Sequence, residues 1–200
     1  MGAERRIILA SGSPRRRELL ADAGVDFEVI VSPAEEIHDA SMDPAALCEE
    51  NARLKAMAVA AEHPDGVVIG ADTLVFIDGQ PLGKPKSMDE ARAMLGRLAG
   101  REHFVCTGVC VVTDGRAECF HDLTTVRFLP LDEAAISRYF ERVNPLDKAG
   151  AYGIQEHGGM LVAGIDGEFD NVMGLPVGKV LAALGLPDLR DASQRLQFRP

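Results

Sequence analysis

With 200 residues, 46% of them hydrophobic and 5% aromatic with no tryptophan, the chain is long enough to bury a sizeable core, and a single domain is expected. Its 31 acidic and 21 basic residues leave a formal charge of -10. That balance excludes a general nucleic-acid binder whose affinity comes from phosphate neutralisation, so any anion site must be local. The cysteines Cys48, Cys106, Cys110 and Cys119 show neither Cys-x-x-Cys nor zinc spacing and are expected as reduced core residues of a cytoplasmic protein. The apolar run after residues 1–6 is too short for a secretory leader, and no apolar stretch approaches the ~20 residues of a membrane span.

Ile7 to Ala10 reads as a strand that breaks at Ser11-Gly12-Ser13. Ser13 can cap a helix, Pro14 suits its first turn, and Leu19, Leu20 and Ala23 continue it. Arg15, Arg16 and Arg17 then fall in the first turn, where the helix dipole is already positive and carboxylates are usual. A bound anion resolves that conflict: backbone N–H groups, the Ser11 and Ser13 hydroxyls and a guanidinium fork make a phosphate cradle. The competing reading is a solvated basic turn.

Phe27–Val31 reads as a second strand. A helix follows from Asp43-Pro44 to about His63, with Lys55 at the edge of its apolar stripe. Val67–Phe76 is a near-continuous apolar run that suits a central strand buried on both faces. Asp72 in its middle is expensive unless paired or metal-bound, which with Thr73 suggests a site; the alternative is a carboxylate that caps backbone amides at a strand end. Beyond the Asp78-Gly79 turn, Lys84 stands between Gly83 and Pro85, either as a phosphate ligand or as a solvated charge. Ser87 to Glu90 is a capping-box pattern opening a helix that ends at Gly100.

Glu102–Thr113 and Arg116–Phe128 read as strands joined at Asp114-Gly115, and Leu131–Val143 as a helix in which Tyr139 packs. Asn144 to Gln155, rich in glycine and polar groups without either period, describes a shaped loop, a ligand loop or a connector. Leu161–Ile165 and Phe169–Met173 around Asp166-Gly167 read as a further hairpin. A last helix runs to about Leu184, and residues 187–200 form a polar tail. His38, His63, His103, His121 and His157 are scattered and assigned to surface or core.

A serine and arginine cradle, two lysines and the carboxylates Glu36 and Asp72 are the kit for phosphate-ester chemistry, in which cations neutralise the polyphosphate and carboxylates hold Mg²⁺ or activate water. No Ser/His/Asp constellation competes, so attack by water fits better than a covalent nucleophile.

Leu9-Ala-Ser-Gly-Ser-Pro-Arg-Arg-Arg-Glu-Leu-Leu20, Gly70-Ala-Asp-Thr-Leu-Val75, Gly83-Lys-Pro85, Thr107-Gly-Val109, Asp147-Lys-Ala-Gly-Ala-Tyr-Gly-Ile-Gln155 and Asn171-Val-Met-Gly-Leu-Pro176 stand in one register over residues 7–186. In this the sequence resembles the Maf-like proteins, nucleoside triphosphate pyrophosphatases also called septum formation inhibitors. The resemblance implies an α/β fold of the inosine-triphosphatase-like type, an elongated mixed sheet flanked by helices with two lobes around a central cleft. It implies hydrolysis of a nucleoside triphosphate to monophosphate and pyrophosphate with a divalent metal, Mg²⁺ or Mn²⁺, in a cytoplasmic homodimer without nucleic-acid or membrane partners.

By the matched motifs Asp72 would activate water and contact metal. Glu36 would hold the metal, with Glu35 as an adjacent competitor. Ser11, Ser13, Arg15, Arg16, Lys55, Thr73, Lys84 and Gln155 would bind substrate, while Arg17 faces another way around the helix and stays solvated. Arg15, Thr73 and Gln155 match the dTTP/UTP branch rather than the 7-methyl-GTP branch, and a Gln amide both donates and accepts, as the edge of uracil or thymine requires. The chain departs from the common pattern at Val143-Asn144 and at Glu156-His157, where a small residue often follows the glutamine. A non-catalytic nucleotide-binding regulator of cell division and a nucleotidyltransferase are the readings from other classes.

Overall fold

A computed structural model describes residues 5–39, 41–188 and 190. Two compact units divide the chain. The first takes residues up to Asp72, Thr107–Asp122 and the segment from Gly174, and the second takes Thr73–Cys106 and Leu123–Met173.

The fold is mixed α/β. Strands β1 (Ile7–Leu9), β2 (Glu28–Val29), β3 (Val67–Ile77), β4 (Gln80–Leu82), β5 (Glu102–Thr113), β6 (Arg116–Phe128) and β7 (Val162–Asp166) form one seven-stranded sheet. Its order is β2-β1-β3-β5-β6-β7, with β4 beside β3. β1 pairs in parallel with both β2 and β3, while β3 with β4 and β6 with β7 are antiparallel. Asp78-Gly79 and Asp114-Gly115 carry positive φ at both residues, the backbone of a type I′ turn, and so close the β3–β4 and β5–β6 hairpins in two residues.

Four helices begin where short polar side chains satisfy orphan N–H groups. Ser13 Oγ caps α1 (Pro14–Asp22), and Asp43 Oδ1 accepts from Ala45 and Ala46 N–H at the start of α2 (Pro44–Ala60). Ser87 Oγ accepts from Glu90 N–H at the start of α3 (Met88–Leu98), and Asp132 Oδ1 from Ala135 N–H at α4 (Glu133–Phe140).

In the first unit α2 lies directly on β3 and β5. A Cβ on Gly70 would sit 2.3 Å from Ala52 O, and one on Gly108 would sit 2.2 Å from the Cys48 carbonyl carbon. Ala52, Ala56, Val59, Val68, Cys110 and Val112 fill this contact with Ile8 and Ala10. Small residues on both elements are what let helix and sheet approach so closely.

The second unit is organised around three mutually edge-on rings, His103, Phe128 and Tyr152, with centroids 4.8 to 5.5 Å apart. His103 is fully buried, one ring nitrogen 2.7 Å from the Tyr152 hydroxyl, and burial pushes its pKa down to about 4. Between that value and the ordinary ~6.5 the unfolded chain binds the proton and the folded chain does not, so stability falls as pH drops through this window. Up to roughly 3 kcal/mol is expected to go between pH 7 and pH 4. Urea unfolding across that range should show it, and a His103→Gln variant should lack this share of the slope.

Three expectations differ from the structure. β4 adds a strand where only a turn is expected, β2 has two residues in place of Phe27–Val31, and Phe169–Met173 is not a strand but helix α5. The short segment Phe169–Met173, with apolar residues at 169, 172 and 173, suits either element on its own. What decides it is Asn171, whose amide donates to Val105 O at 3.2 Å and to Thr124 Oγ1 at 2.9 Å. One helical turn delivers that side chain to β5 and β6 together. The last helix, α6 (Val177–Ala183), lies where expected, whereas the polar tail falls outside the described residues except for 187, 188 and 190. Among the described residues no helix is long and apolar enough to cross a membrane.

Candidate active site

Asp72 lies mid-way along β3, 4% exposed. A buried carboxylate needs donors for its oxygens. Lys55 Nζ donates to Oδ1 at 2.7 Å and Asn51 Nδ2 to Oδ2 at 3.1 Å, so each oxygen has one partner and both come from α2. Residues 51 and 55 stand one turn apart on one helix face, and the close seat of α2 on Gly70 and Gly108 is what brings that face over the strand.

Lys55 also donates to Glu36 Oε1 at 2.6 Å. Glu36 rather than Glu35 therefore joins the cluster, the choice that the sequence leaves open. Asn51 ties the same segment down a second time: its Oδ1 accepts from Ile37 N–H at 2.7 Å and its Nδ2 donates to Ile37 O at 3.1 Å. Asn51, 2% exposed, is the residue that sequence reasoning missed. Its signal was there, a polar side chain one turn before Lys55 on a helix otherwise packed with Leu47, Ala52 and Ala56.

The serine and arginine loop is assembled as the capping pattern implies. Arg16 is buried, its Nε donating to Gly174 O at 2.8 Å and its Nη1 to Ser11 Oγ at 3.0 Å. Ser11 Oγ accepts from Ser13 N–H as well, at 3.3 Å, which leaves its O–H as the group it can direct at an anion. Burial lowers the Arg16 pKa from its ordinary value; Asp72 and Glu36 act against that shift, and Arg15 adds to it. The guanidinium thus senses both carboxylates. Arg15 is half-buried and Arg17 exposed, matching the expectation of a single solvated arginine in this turn.

Two carboxylate oxygens converge on one ammonium in this unit, an arrangement that already holds a positive charge. Two carboxylates completed by phosphate oxygens and water are a usual Mg²⁺ set, so Glu36 and Asp72 fit a hard divalent cation that arrives with a polyphosphate. Among the described residues no group of three or more His, Cys, Asp or Glu forms a cage for a metal alone.

The remaining predicted residues belong to the second unit. Thr73 is half-buried beside Asp72 on β3, Lys84 is exposed, and Gln155 is half-buried in the loop after Tyr152. That loop is built, not slack. Gly150 N–H donates to Gly83 O, and Tyr139, fully buried, accepts from Gly153 N–H at 3.0 Å, a packing and anchoring role as its helical stripe implies.

The model of the Maf-like protein family matches residues 6–186. A protein of Akkermansia muciniphila named dTTP/UTP pyrophosphatase is 52% identical over 178 residues, 89% of this chain and 94% of that one. Proteins of the same name from Bacillus velezensis and Symbiobacterium thermophilum are 51% and 47% identical over 90% and 89% of this chain, and 95% and 92% of their own lengths.

Proposed function

This chain belongs to the Maf-like protein family, and on that premise we propose that it hydrolyses dTTP and UTP to the monophosphate and pyrophosphate. The observation that carries the reading is the buried Asp72 carboxylate, oriented at both oxygens by α2 and electrostatically coupled to Arg16. The reaction forms a bond from a water oxygen to the α-phosphorus, breaks the anhydride bond to the β-phosphate and releases one proton.

Asp72 takes that proton at a carboxylate oxygen. Because Lys55 and Asn51 hold different oxygens, the carboxylate cannot turn, and its remaining lone pairs keep fixed directions for the attacking water. Ser11, Ser13, Arg15 and Arg16 bind the triphosphate through N–H and O–H donors, with Lys55 adding charge. Thr73, Lys84 and Gln155 are assigned to substrate as well, Gln155 to the base. Glu36 and Asp72 would hold the divalent cation, Mg²⁺ or Mn²⁺, which would supply neutralisation of the triphosphate charge.

Incubated with Mg²⁺ and a nucleotide panel, the purified protein should release pyrophosphate from dTTP and UTP first. No release from any triphosphate, or a preference for 7-methyl-GTP, overturns the reading. Within it, Arg16→Ala is expected to raise KM for dTTP by roughly 10- to 100-fold, the loss of charge-assisted hydrogen bonds to phosphate, with a smaller change in kcat. An unchanged KM in steady-state kinetics removes Arg16 from the cradle.

A further inference from the structure

Outside the candidate site, the β5–β6 hairpin of the first unit brings two thiols together. All four cysteines are free. The two-residue turn at Asp114-Gly115 sets Thr113 opposite Arg116, and counting back along β5 and forward along β6 sets Cys110 opposite Cys119. The pair beside such a turn exchanges backbone hydrogen bonds, and bonded and non-bonded pairs then alternate, so Cys110 and Cys119, three steps on, form a non-bonded pair. The Cα atoms of such pairs stand about 4.5 Å apart, within the roughly 4.4–6.8 Å that a disulfide spans. The two thiols already meet: Cys110 S–H donates a hydrogen bond to Cys119 Sγ.

The sulfurs differ in what reaches them. Cys110 is fully buried in the cluster that holds Ala52 and Ala56 of α2, whereas Cys119 is half-buried at the rim of that cluster. Burial raises the pKa of both thiols, and at Cys119 the hydrogen bond from Cys110 and the charge of Arg53 act against that shift. An oxidant in solvent therefore meets Cys119 first, with a second thiol directly behind it. Cys106, four residues along β5 from Cys110, is about 13 Å away and beyond bonding reach.

We propose that Cys110 and Cys119 are a dithiol modification site for two-electron oxidants of the peroxide class, Cys119 the attacked thiol and Cys110 the resolving one, giving a cross-strand disulfide that staples the β5–β6 hairpin. The Cys119 thiolate attacks one peroxide oxygen, forming an S–O bond as the O–O bond breaks, and the hydroxide that leaves is protonated to water. Cys110 sulfur then attacks Cys119 sulfur. The S–S bond forms, the S–O bond breaks, and a second water leaves with the Cys110 proton. Hydrogen peroxide gains the two electrons that the thiols lose. Because burial keeps both thiols protonated, the reaction is slow beside that of a low-pKa sensor cysteine. What the pair provides is reversibility, since a sulfenic acid without a resolving thiol goes on to sulfinic and sulfonic acids.

The folded full chain is treated with excess hydrogen peroxide at neutral pH, its remaining thiols are alkylated, and it is digested with trypsin. Arg116 separates the two cysteines, so the cross-link joins peptide 102–116 to peptide 117–127, with Cys106 in the first peptide alkylated. That linkage should form in wild type and be reversed by dithiothreitol. It should also raise Tm by up to about 10 °C, the effect of closing a loop of about ten residues in the unfolded chain.

In Cys110→Ser, Cys119 should accumulate sulfinic and sulfonic acid several-fold beyond wild type, while Cys106→Ser should keep the cross-link. Absence of the 102–116 to 117–127 linkage in peroxide-treated wild type overturns the inference, as does a linkage through Cys48 or Cys106 instead. Equal over-oxidation of Cys119 in wild type and Cys110→Ser removes the resolving role in the same way. The wild-type peptide map stands whether or not a variant folds, and none of these readouts depends on which nucleotide the chain hydrolyses.

Discussion

Asp72→Asn is expected to lower kcat for dTTP and UTP by about 10²- to 10⁴-fold, the range that a positioned proton acceptor contributes. The two side chains have nearly the same shape, so the loss reports chemistry more than volume. An amide at this position can still accept at one atom, but its NH₂ then faces either Lys55 Nζ or Asn51 Nδ2, both donors. One contact turns from attraction to repulsion, and the water has no carboxylate to take its proton. Lys55 keeps Glu36 as a partner, which moderates the cost in stability that breaking a buried ion pair otherwise brings. Pyrophosphate release under saturating substrate, read beside a thermal unfolding curve, separates the effects. A variant that folds and retains wild-type kcat would falsify the role given to Asp72.

Gly108→Ala is expected to be the most destabilising single-methyl change in the first unit. The added Cβ meets the backbone of α2, 2.2 Å from Cys48 C, 2.4 Å from Cys48 O and 2.4 Å from Glu49 N, where no side chain can swing aside. Helix or strand must move by about 1 Å to reach van der Waals contact. Overpacking of this kind costs about 1–3 kcal/mol and more against backbone, which for a chain of this length lowers Tm by roughly 6–12 °C at 3 kcal/mol. The displaced element is the one that carries Asn51 and Lys55, so kcat should fall by about 10²-fold even where the protein remains folded, as misplacement by about 1 Å of groups around a reacting centre does. Gly96→Ala is the internal control. It lies exposed on α3 with open space around its Cβ, and alanine there should stabilise by about 0.5–1 kcal/mol through helix propensity. Equal effects of the two substitutions on Tm would refute the packing account.

These two variants probe different levels of legibility in the sequence. Asp72 stands out in the primary structure because a charge inside an apolar strand is costly wherever that strand packs. Gly108 does not, since a glycine in an apolar run is silent about what presses against it. The same holds for Asn51, whose hydrogen bonds to Ile37 and Asp72 join segments 14 and 21 residues away. Glu35 and Glu36 are equivalent as neighbours in a polar segment, and only the reach of Lys55 distinguishes them.

What the sequence by itself determined is everything decided within about one turn of chain. Ser13-Pro14, Asp43-Pro44 and Ser87 to Glu90 start their helices because a cap satisfies N–H groups two or three residues on. Asp78-Gly79 and Asp114-Gly115 close their hairpins because those residue pairs tolerate positive φ. The Ser11 to Ser13 loop belongs to the same class, as Ser13 caps the helix that follows and donates its N–H to Ser11 Oγ. Tertiary structure alone decided the helix at Phe169–Met173, the partners of Lys55 and the tight seat of α2. Each of these is set by a partner distant in sequence, through a hydrogen bond or a steric contact that exists only once the elements have packed, and local propensity carries no record of it.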